Sequence, residues 1–229
     1  MKHFIFIIIF NLGFCIAHSQ DKSCRCNYYN VSEATLEDKL TGITIAHENL
    51  KLPQGEIYSL WSHGDIFLNN GEIITNRLMR YDGLSDQLVV SSVNENVQLV
   101  IEKNTIKGFD INLLNSDMIL HYKKIKIRDI YSTEYHDAYL HVLVSGKTSL
   151  YAYRRIQHVG STFDLETYYS YVIIKDDGSI YHFANFSRRY IAGLFPEKKE
   201  IFKPQLRKQR NRVRDEEHLI KAIELYNSL

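Results

Sequence analysis

The sequence is short of cysteine and proline, and its charges almost cancel. Its 229 residues include 3 Cys and 3 Pro, and 28 basic side chains stand against 27 acidic ones. These figures argue against collagenous, disordered and coiled-coil classes. A nearly neutral chain also lacks an overall field that would attract nucleic acid or an anionic membrane.

Catalytic and cofactor motifs are also missing. No Gly-x-Ser-x-Gly elbow surrounds Gly160-Ser161, and no phosphate-binding glycine loop is present. His136 and His141 lie five residues apart in a strand-like context, so their side chains face opposite sides and do not converge on one ion. Four further histidines are scattered along the chain and form no cluster in the sequence: His63, His121, His158 and His182. The sequence therefore predicts no enzyme, no metal site and no cofactor.

The first nineteen residues have the layout of a secretory signal peptide. Lys2 and His3 precede an apolar run from Phe4 to Ile16, and Ala17-His18-Ser19 supplies small residues before Gln20. The run is shorter than the roughly twenty residues that a membrane-spanning helix needs. The sequence therefore predicts export and cleavage between Ser19 and Gln20. A retained anchor is the alternative.

Three cysteines lie near the start of the chain. A lipoprotein would begin at Cys15, but Phe14 is bulkier than the residue expected before such a site. Cys24 and Cys26 could close a strained disulfide ring, pair with another chain or stay free. They have no companion ligands at metal-binding spacing.

Aromatic residues are abundant, with 16 Tyr and 11 Phe, and both types favour strands. After a turn signal at Pro53-Gln54-Gly55, short apolar runs recur at about ten-residue spacing. They occupy 87–93, 97–101, 105–112, 118–127, 138–144 and 149–156. No helical period interrupts them, which argues against a parallel α/β sheet. The predicted fold is mainly β, an antiparallel meander forming a curved sheet, sandwich or barrel over residues 55–185.

Two hairpins are predicted at Asn-Gly and Asp-Gly pairs, which favour two-residue type I′ turns. Around Asn70-Gly71 such a turn pairs Leu68 with Ile73 and Phe67 with Ile74. Around Asp177-Gly178 it pairs Ile174 with Tyr181 and Val172 with Phe183.

The two ends of the chain have a different pattern. Residues 20–54 are weakly patterned, with a short helix expected from Ser32 to Leu40. Residues 186–229 form a predicted helical tail. In it Ser187 caps a short helix ending near Gly193, Pro196 opens a helical turn, and Pro204 interrupts any helix that runs on. The last helix follows Asp215, and its packing face is predicted to be Leu219, Ile220, Ile223 and Tyr226.

Several short motifs carry a family resemblance. They are residues 61–71 (WSHGDIFLNNG), 78–82 (LMRYD), 86–88 (DQL), 195–199 (FPEKK), 217–220 (EHLI) and 226–229 (YNSL). Over about residues 55–229 the chain resembles a family of small, exported, largely uncharacterised β-rich proteins from the envelopes of Gram-negative bacteria. The resemblance implies a periplasmic or outer-envelope location and a β-rich fold with a helical tail. It carries over no catalytic residue.

Two features are candidate interaction sites. Tyrosines on neighbouring strands could stack on a sugar or line an apolar cavity, although such rings more often pack in cores. The predicted ligand contacts are Tyr151, Tyr153, Tyr169, Tyr171 and Tyr181. The basic run from Arg207 to Arg214 could meet an anionic lipid or a polyanion, or it could be a solvated connector, which is the favoured interpretation.

The leading functional interpretation is an exported, non-enzymatic envelope protein that serves as an interaction or structural module. Its expected partner is an envelope protein, a lipid or a saccharide. Peripheral contact with a membrane is compatible with this interpretation, and nucleic acid is not an expected partner. The oligomeric state is left open. The alternative is a carrier of an apolar ligand or lipid in a β-lined cavity, with the last helix as a lid. A weaker alternative is a carboxylate-dependent hydrolase.

Overall fold

Eleven strands form one antiparallel sheet in the part of the chain that the structure describes. The structure is a computed structural model that describes residues 40, 42–46, 60–91, 97–114, 116–130, 133–158, 165–208 and 213–229. The strands are β1 (Gly42–Ala46), β2 (Ser62–Leu68), β3 (Ile73–Asp82), β4 (Gln87–Ser91), β5 (Val97–Ile101), β6 (Ile106–Asn112), β7 (Ile119–Arg128), β8 (Tyr135–Val144), β9 (Ser149–His158), β10 (Leu165–Ile174) and β11 (Ile180–Phe183). The predicted signal peptide, Cys24 and Cys26 lie outside the described residues, as does the predicted helix from Ser32, apart from Leu40.

Strand order across the sheet is β1-β5-β4-β3-β2-β6-β7-β8-β9-β10-β11. Strands β2 to β5 form one meander and β6 to β11 a second, and β2 pairs with β6 where the two meet. The sheet is open and curved, so the prediction of a mainly antiparallel β protein is confirmed. The sheet also extends upstream of residue 55, because β1 lies within the segment 20–54 and pairs with β5.

Both predicted hairpin turns lie where the sequence placed them, but both predicted registers are wrong by one residue. Phe67 pairs with Ile73, and Ile174 pairs with Ile180. Each loop has three residues, because a type I′ turn needs positive φ at both central positions. Here only the glycines have it, with φ of 94° at Gly71 and 80° at Gly178.

The side chain before each glycine explains the longer loop. Asn70 Oδ1 accepts the backbone N–H of Glu72 at 2.9 Å, and Asp177 Oδ1 accepts that of Ser179 at 2.8 Å. Such local bonds from Asn and Asp stabilise a turn that leaves their own φ negative. The glycine alone then takes the left-handed position.

Gly71→Ala should destabilise the protein, because an L-residue in the left-handed region costs about 1–2 kcal/mol. In the part of the chain that the structure describes, no atom lies within 4 Å of an added Cβ at Gly71, so the expected cost comes from the backbone. Gly193→Ala is the matched control, since Gly193 has equally open surroundings and no positive φ. Alanine is also the better helix former there. Urea unfolding should show a loss for the first variant only, and equal stability of the two would contradict this turn geometry.

Three helices follow the sheet within residues 186–229: α1 (Arg188–Gly193), α2 (Lys199–Lys208) and α3 (Glu216–Ser228). The predicted cap at Ser187 is confirmed, since Ser187 Oγ accepts from Tyr190 N at 3.2 Å. Asp215 caps α3 in the same way, because its Oδ1 accepts from His218 N at 2.9 Å. A turn of 3₁₀ helix, Pro196–Lys198, leads into α2.

The prediction that Pro204 ends a helix is wrong, because α2 continues through it. Proline cannot donate to the carbonyl four residues earlier. Here that carbonyl belongs to Glu200, and both Glu200 and Pro204 are exposed. The bond is therefore missing on the solvent side of the helix. Phe202 and Leu206 on the other side are fully buried and hold α2 against its core.

One face of the sheet contributes to two cores. Cross-strand pairing places Tyr122, His141, Ala152 and Tyr171 on this face, called the helix face below. Over the first meander and β7 the curved sheet encloses a ring cluster on this face: Tyr81, Phe109, Tyr122 and Tyr139, each at most 2% exposed. Over the last strands the helix face is covered by α1, α2 and α3.

The tail packs as the sequence predicts. Leu219, Ile223 and Tyr226 are buried in the second core, and Ile220 is partly buried against it. Tyr226 stacks on Phe195 at 4.0 Å between ring centroids. Docking of α3 on the sheet is therefore a feature of the fold.

Candidate functional site

Strands β8 and β9 separate in the middle of the sheet. Their pairing ends at His141 and Ala152, although β8 begins at Tyr135 and β9 runs on to His158. Among the described residues, β8 before His141 pairs with β7 alone, and β9 beyond Ala152 pairs with β10 alone. The two strands therefore form a fork, and its inner edges have backbone groups that no strand satisfies.

The turn between β3 and β4 fills this fork. The N–H of Ile156 on β9 donates to the carbonyl of Gly83 at 3.0 Å. The N–H of Tyr139 on β8 donates to Asp86 Oδ1 at 3.3 Å. A backbone carbonyl of the turn thus accepts an N–H on the β9 edge, and a side chain of the turn accepts an N–H on the β8 edge.

Two side chains satisfy carbonyls of the same edges. The hydroxyl of Tyr81 on β3 shares its one proton between the carbonyl of Arg154 at 3.2 Å and the nearer Asp86 Oδ1 at 2.7 Å. Lys103 Nζ donates to the carbonyl of Asp137 at 2.9 Å. Buried backbone groups need such partners, so residues from far along the chain keep β8 and β9 apart.

Asp86 is the centre of this arrangement. It is 2% exposed, has a φ of 55°, and forms an ion pair with Lys103 at 2.5 Å. Its carboxylate also accepts the hydroxyls of Tyr81 at 2.7 Å and Tyr153 at 3.2 Å. Burial raises the pKa of Asp86, while Lys103 beside it opposes that rise. With four donors around it, the carboxylate is a structural anchor and is not free to act as a base.

A pocket of about 410 Å³ opens at the fork and is called the fork pocket below. It is lined mainly by polar and aromatic side chains: Ser85, Asp86, Lys103, Asp129, His136, Asp137, Tyr153, Arg155, Gln157, Tyr168, Ser170 and His182. Its volume falls within the range of small-molecule sites. Its lining offers many hydrogen-bonding groups and two tyrosine rings.

Ser170 and His182 form a bonded pair at this pocket. Ser170 Oγ lies 2.9 Å from His182 Nε2, and His182 Nδ1 lies 2.8 Å from the carbonyl of Arg128. A carbonyl only accepts, so Nδ1 carries the proton and Nε2 accepts from the serine. Burial lowers the pKa of His182 and keeps the ring neutral. Ser170 is 0% exposed, so its hydroxyl orients the histidine and is not accessible as a nucleophile.

On the helix face, the fork is joined to α3 by a partly buried charge cluster. Arg154 donates to Glu216 at 2.8 Å and lies 3.3 Å from His141 Nδ1. Burial, together with the charge of Arg154, lowers the pKa of His141 to about 4. His141 and His136 lie on opposite faces, as the sequence predicts.

The structure separates the five tyrosines predicted as ligand contacts. Tyr153 lines the fork pocket, and Tyr151 lies on the same face but lines a different groove. Tyr169, Tyr171 and Tyr181 lie on the helix face. Tyr171 packs against Phe186 there, with 5.2 Å between the ring centroids. The five rings therefore do not form one ridge, and their contact with a ligand stays a prediction.

The groove beside Tyr151 has a volume of about 800 Å³ and is called the apolar groove below. Its apolar lining includes Phe67, Ile73, Ile125 and Val142, with lysines and a histidine around them. The enclosed core on the helix face, in contrast, is filled with packed rings.

Tyr81 and Asp86, which build the fork, lie in the resemblance motifs, but neither is among the predicted site residues. Asp86 bonds to partners 53 and 67 residues away, so no local spacing reveals them. The only local signal is the turn from Asp82 to Asp86, where Asp82 Oδ1 accepts the N–H of Leu84 at 2.9 Å. That pattern identifies a turn, but it does not identify what the turn docks against.

Within the described residues, no group of three or more His, Cys, Asp or Glu side chains could hold a metal ion. The helices described here include none that is long and apolar enough to span a membrane. No protein-family model, no curated protein and no solved structure matches the chain. Inferences about function therefore rest on the geometry of its own sites.

Proposed function

We propose that this protein is an exported, non-enzymatic interaction module of the bacterial envelope, and that the fork pocket binds a saccharide unit. The observation that carries the proposal is the composition of the pocket. Donors from Lys103, Arg155 and Gln157 lie with acceptors from Asp129 and Asp137 around one cavity. Sugar hydroxyls both donate and accept, so such a mixed lining suits them.

The charges and rings of the pocket support the same ligand class. Three carboxylates face two cations in its lining, so there is no excess of positive charge to select a strong anion. The Tyr168 ring lies at the same pocket and offers an apolar face against which a sugar ring could pack. The envelope location comes from the signal-peptide pattern and the family resemblance.

The bonding of two groups that could otherwise react, Asp86 and Ser170, supports the non-enzymatic part of the proposal. Asp86 is held by Lys103 and two tyrosine hydroxyls. Ser170 is fully buried beside His182. Neither group has the access that a general base or a nucleophile needs.

Tyr168→Ala should weaken saccharide binding by about three- to tenfold, because it removes an aromatic contact. Ligand-observed NMR with a panel of neutral and acidic saccharides, followed by calorimetry of each hit, measures this. Tyr169→Ala is the matched control, since the next residue of the same strand points to the helix face. Absence of any saccharide hit, or equal weakening in both variants, would contradict the proposal.

The apolar groove favours a second candidate, a carrier of an apolar ligand. This groove is not the cavity that the last helix is predicted to cover as a lid. α3 packs on the helix face, whereas the groove lies beside Tyr151 on the other face. Nile red fluorescence would detect such binding, and Val142→Asp should abolish the signal if the groove is the site.

A further inference from the structure

Five cationic side chains converge on one cleft among the helices. Arg188 and Arg189 begin α1, Lys203 and Arg207 lie on α2, and Arg214 precedes α3. Together with Ser187 they line a cavity of about 610 Å³. Arg207 and Arg214 come from the basic run that the sequence shows, and the fold adds three cations from elsewhere to these two. This cleft, called the cationic cleft below, shares no lining residue with the fork pocket.

We propose that the cationic cleft binds a phosphate group. Among the residues that the structure describes, none of the five cations is in an ion pair, and no carboxylate lines the cleft. Like charges that share a cleft within a Debye length of one another repel, and an anion relieves that repulsion. Net charge does not explain the cluster, because basic and acidic residues almost balance over the whole chain.

The kind of cation favours phosphate among anions. Four of the five side chains are arginines, and the planar guanidinium presents paired N–H groups that match two phosphate oxygens. A phosphate has enough oxygens to engage more than one arginine at once. Arg188 and Lys203 are half-buried, and Arg189, Arg207 and Arg214 are exposed. The cleft therefore has partly buried walls and a charged rim that a ligand can reach.

The volume indicates that the phosphate is carried by a larger molecule. A cavity of about 610 Å³ is in the range of sites for small molecules, and a lone phosphate would leave most of it empty. Both a soluble phosphorylated metabolite and a phospholipid headgroup present the same chemistry. The experiment therefore has an arm for each source.

The test uses the full chain and two double variants of equal charge change. Arg189→Gln with Arg214→Gln removes two exposed cations of the cleft. Lys199→Gln with Lys208→Gln removes two exposed cations that belong to α2 but do not line it. Because all four side chains are exposed, both variants should keep the wild-type melting temperature.

Binding of inorganic phosphate is measured by calorimetry. The cleft variant should bind about tenfold more weakly or worse, because charge-assisted bonds are lost, and the α2 variant should bind like wild type. Arg189→Lys should lie between them, since the charge stays but the planar fork is lost. Absence of phosphate binding to the wild type, or equal weakening in the two double variants, would overturn the proposal. So would tighter binding of sulfate than of phosphate.

Vesicles of phosphatidylcholine with and without phosphatidylglycerol distinguish the two sources. A lipid headgroup is supported as the ligand if the protein sediments with phosphatidylglycerol vesicles, if inorganic phosphate competes with this binding, and if the cleft variant no longer sediments. Binding of inorganic phosphate without vesicle binding supports a soluble phosphorylated ligand. Vesicle binding that the cleft variant retains would overturn the cleft as the site. Because the fork pocket is untouched, none of these results depends on saccharide binding.

Discussion

Asp86→Gly should cost about 3–5 kcal/mol of unfolding free energy, because the buried carboxylate accepts from several donors and each buried donor left unsatisfied costs about 1–3 kcal/mol. It leaves the half-buried Lys103 without its carboxylate and the N–H of Tyr139 without an acceptor. Glycine adopts positive φ freely, so the φ of 55° at this position adds no strain. The measured loss should therefore come mainly from the carboxylate, since the greater unfolded-chain entropy of glycine accounts for only about 0.4–1 kcal/mol.

Two further variants separate the contributions of charge and hydrogen bonding. Asp86→Asn keeps an oxygen for Tyr139 and tolerates positive φ, so it should lose less stability than Asp86→Gly. Asp137→Asn is the matched control, because Asp137 is exposed and its carbonyl, not its side chain, bonds to Lys103. It should stay within about 0.5 kcal/mol of wild type. A stability of Asp86→Gly within about 1 kcal/mol of wild type in urea unfolding would show that the carboxylate does not hold the fork.

Ile223→Asp should cost more than about 4 kcal/mol, because it buries an unpaired charge. Ile223 is 0% exposed in the core beneath α3, and an isolated helix of 13 residues is marginal in water. Thermal melting and limited proteolysis should both report a loosened tail. Ile201→Asp on α2 is the control, since Ile201 is 58% exposed and should tolerate the charge.

A milder variant keeps this prediction testable when the aspartate prevents folding. Ile223→Ala removes buried atoms without adding charge and should cost about 2–5 kcal/mol. Wild-type melting and protease resistance in both Ile223 variants would mean that α3 is not docked.

The sequence predicts where the strands and helices lie better than it predicts which residues of neighbouring strands pair with each other. Alternating apolar runs are local signals, and they place the strands and α3 close to where they lie. The hairpin registers depend on whether Asn70 and Asp177 take positive φ. Side-chain bonds to Glu72 and Ser179 decide this, and the Asn-Gly and Asp-Gly pairs alone do not reveal them. Pro204 is a similar case, because burial of its neighbours outweighs its local preference.

The two sites could be predicted only in part, for a different reason. The sequence predicts Tyr153 as an aromatic contact, and it lies at the fork pocket. The pocket itself forms only when the turn at Asp86 docks between β8 and β9, which begin about fifty to sixty residues later in the chain. The cationic cleft requires α1 to bring Arg188 and Arg189 beside α2. Such long-range contacts leave no periodic pattern in the sequence.

An open strand edge can recruit a strand from another molecule, and the fork places two such edges inside this sheet. Gly83 and Asp86 satisfy one N–H on each edge, while Tyr81 and Lys103 cover a carbonyl on each. Residues that keep β8 and β9 apart thus also deny those edges to an intruding chain. Loss of the Asp86 carboxylate should therefore increase aggregation as well as lower stability, because it exposes a template for intermolecular β-pairing.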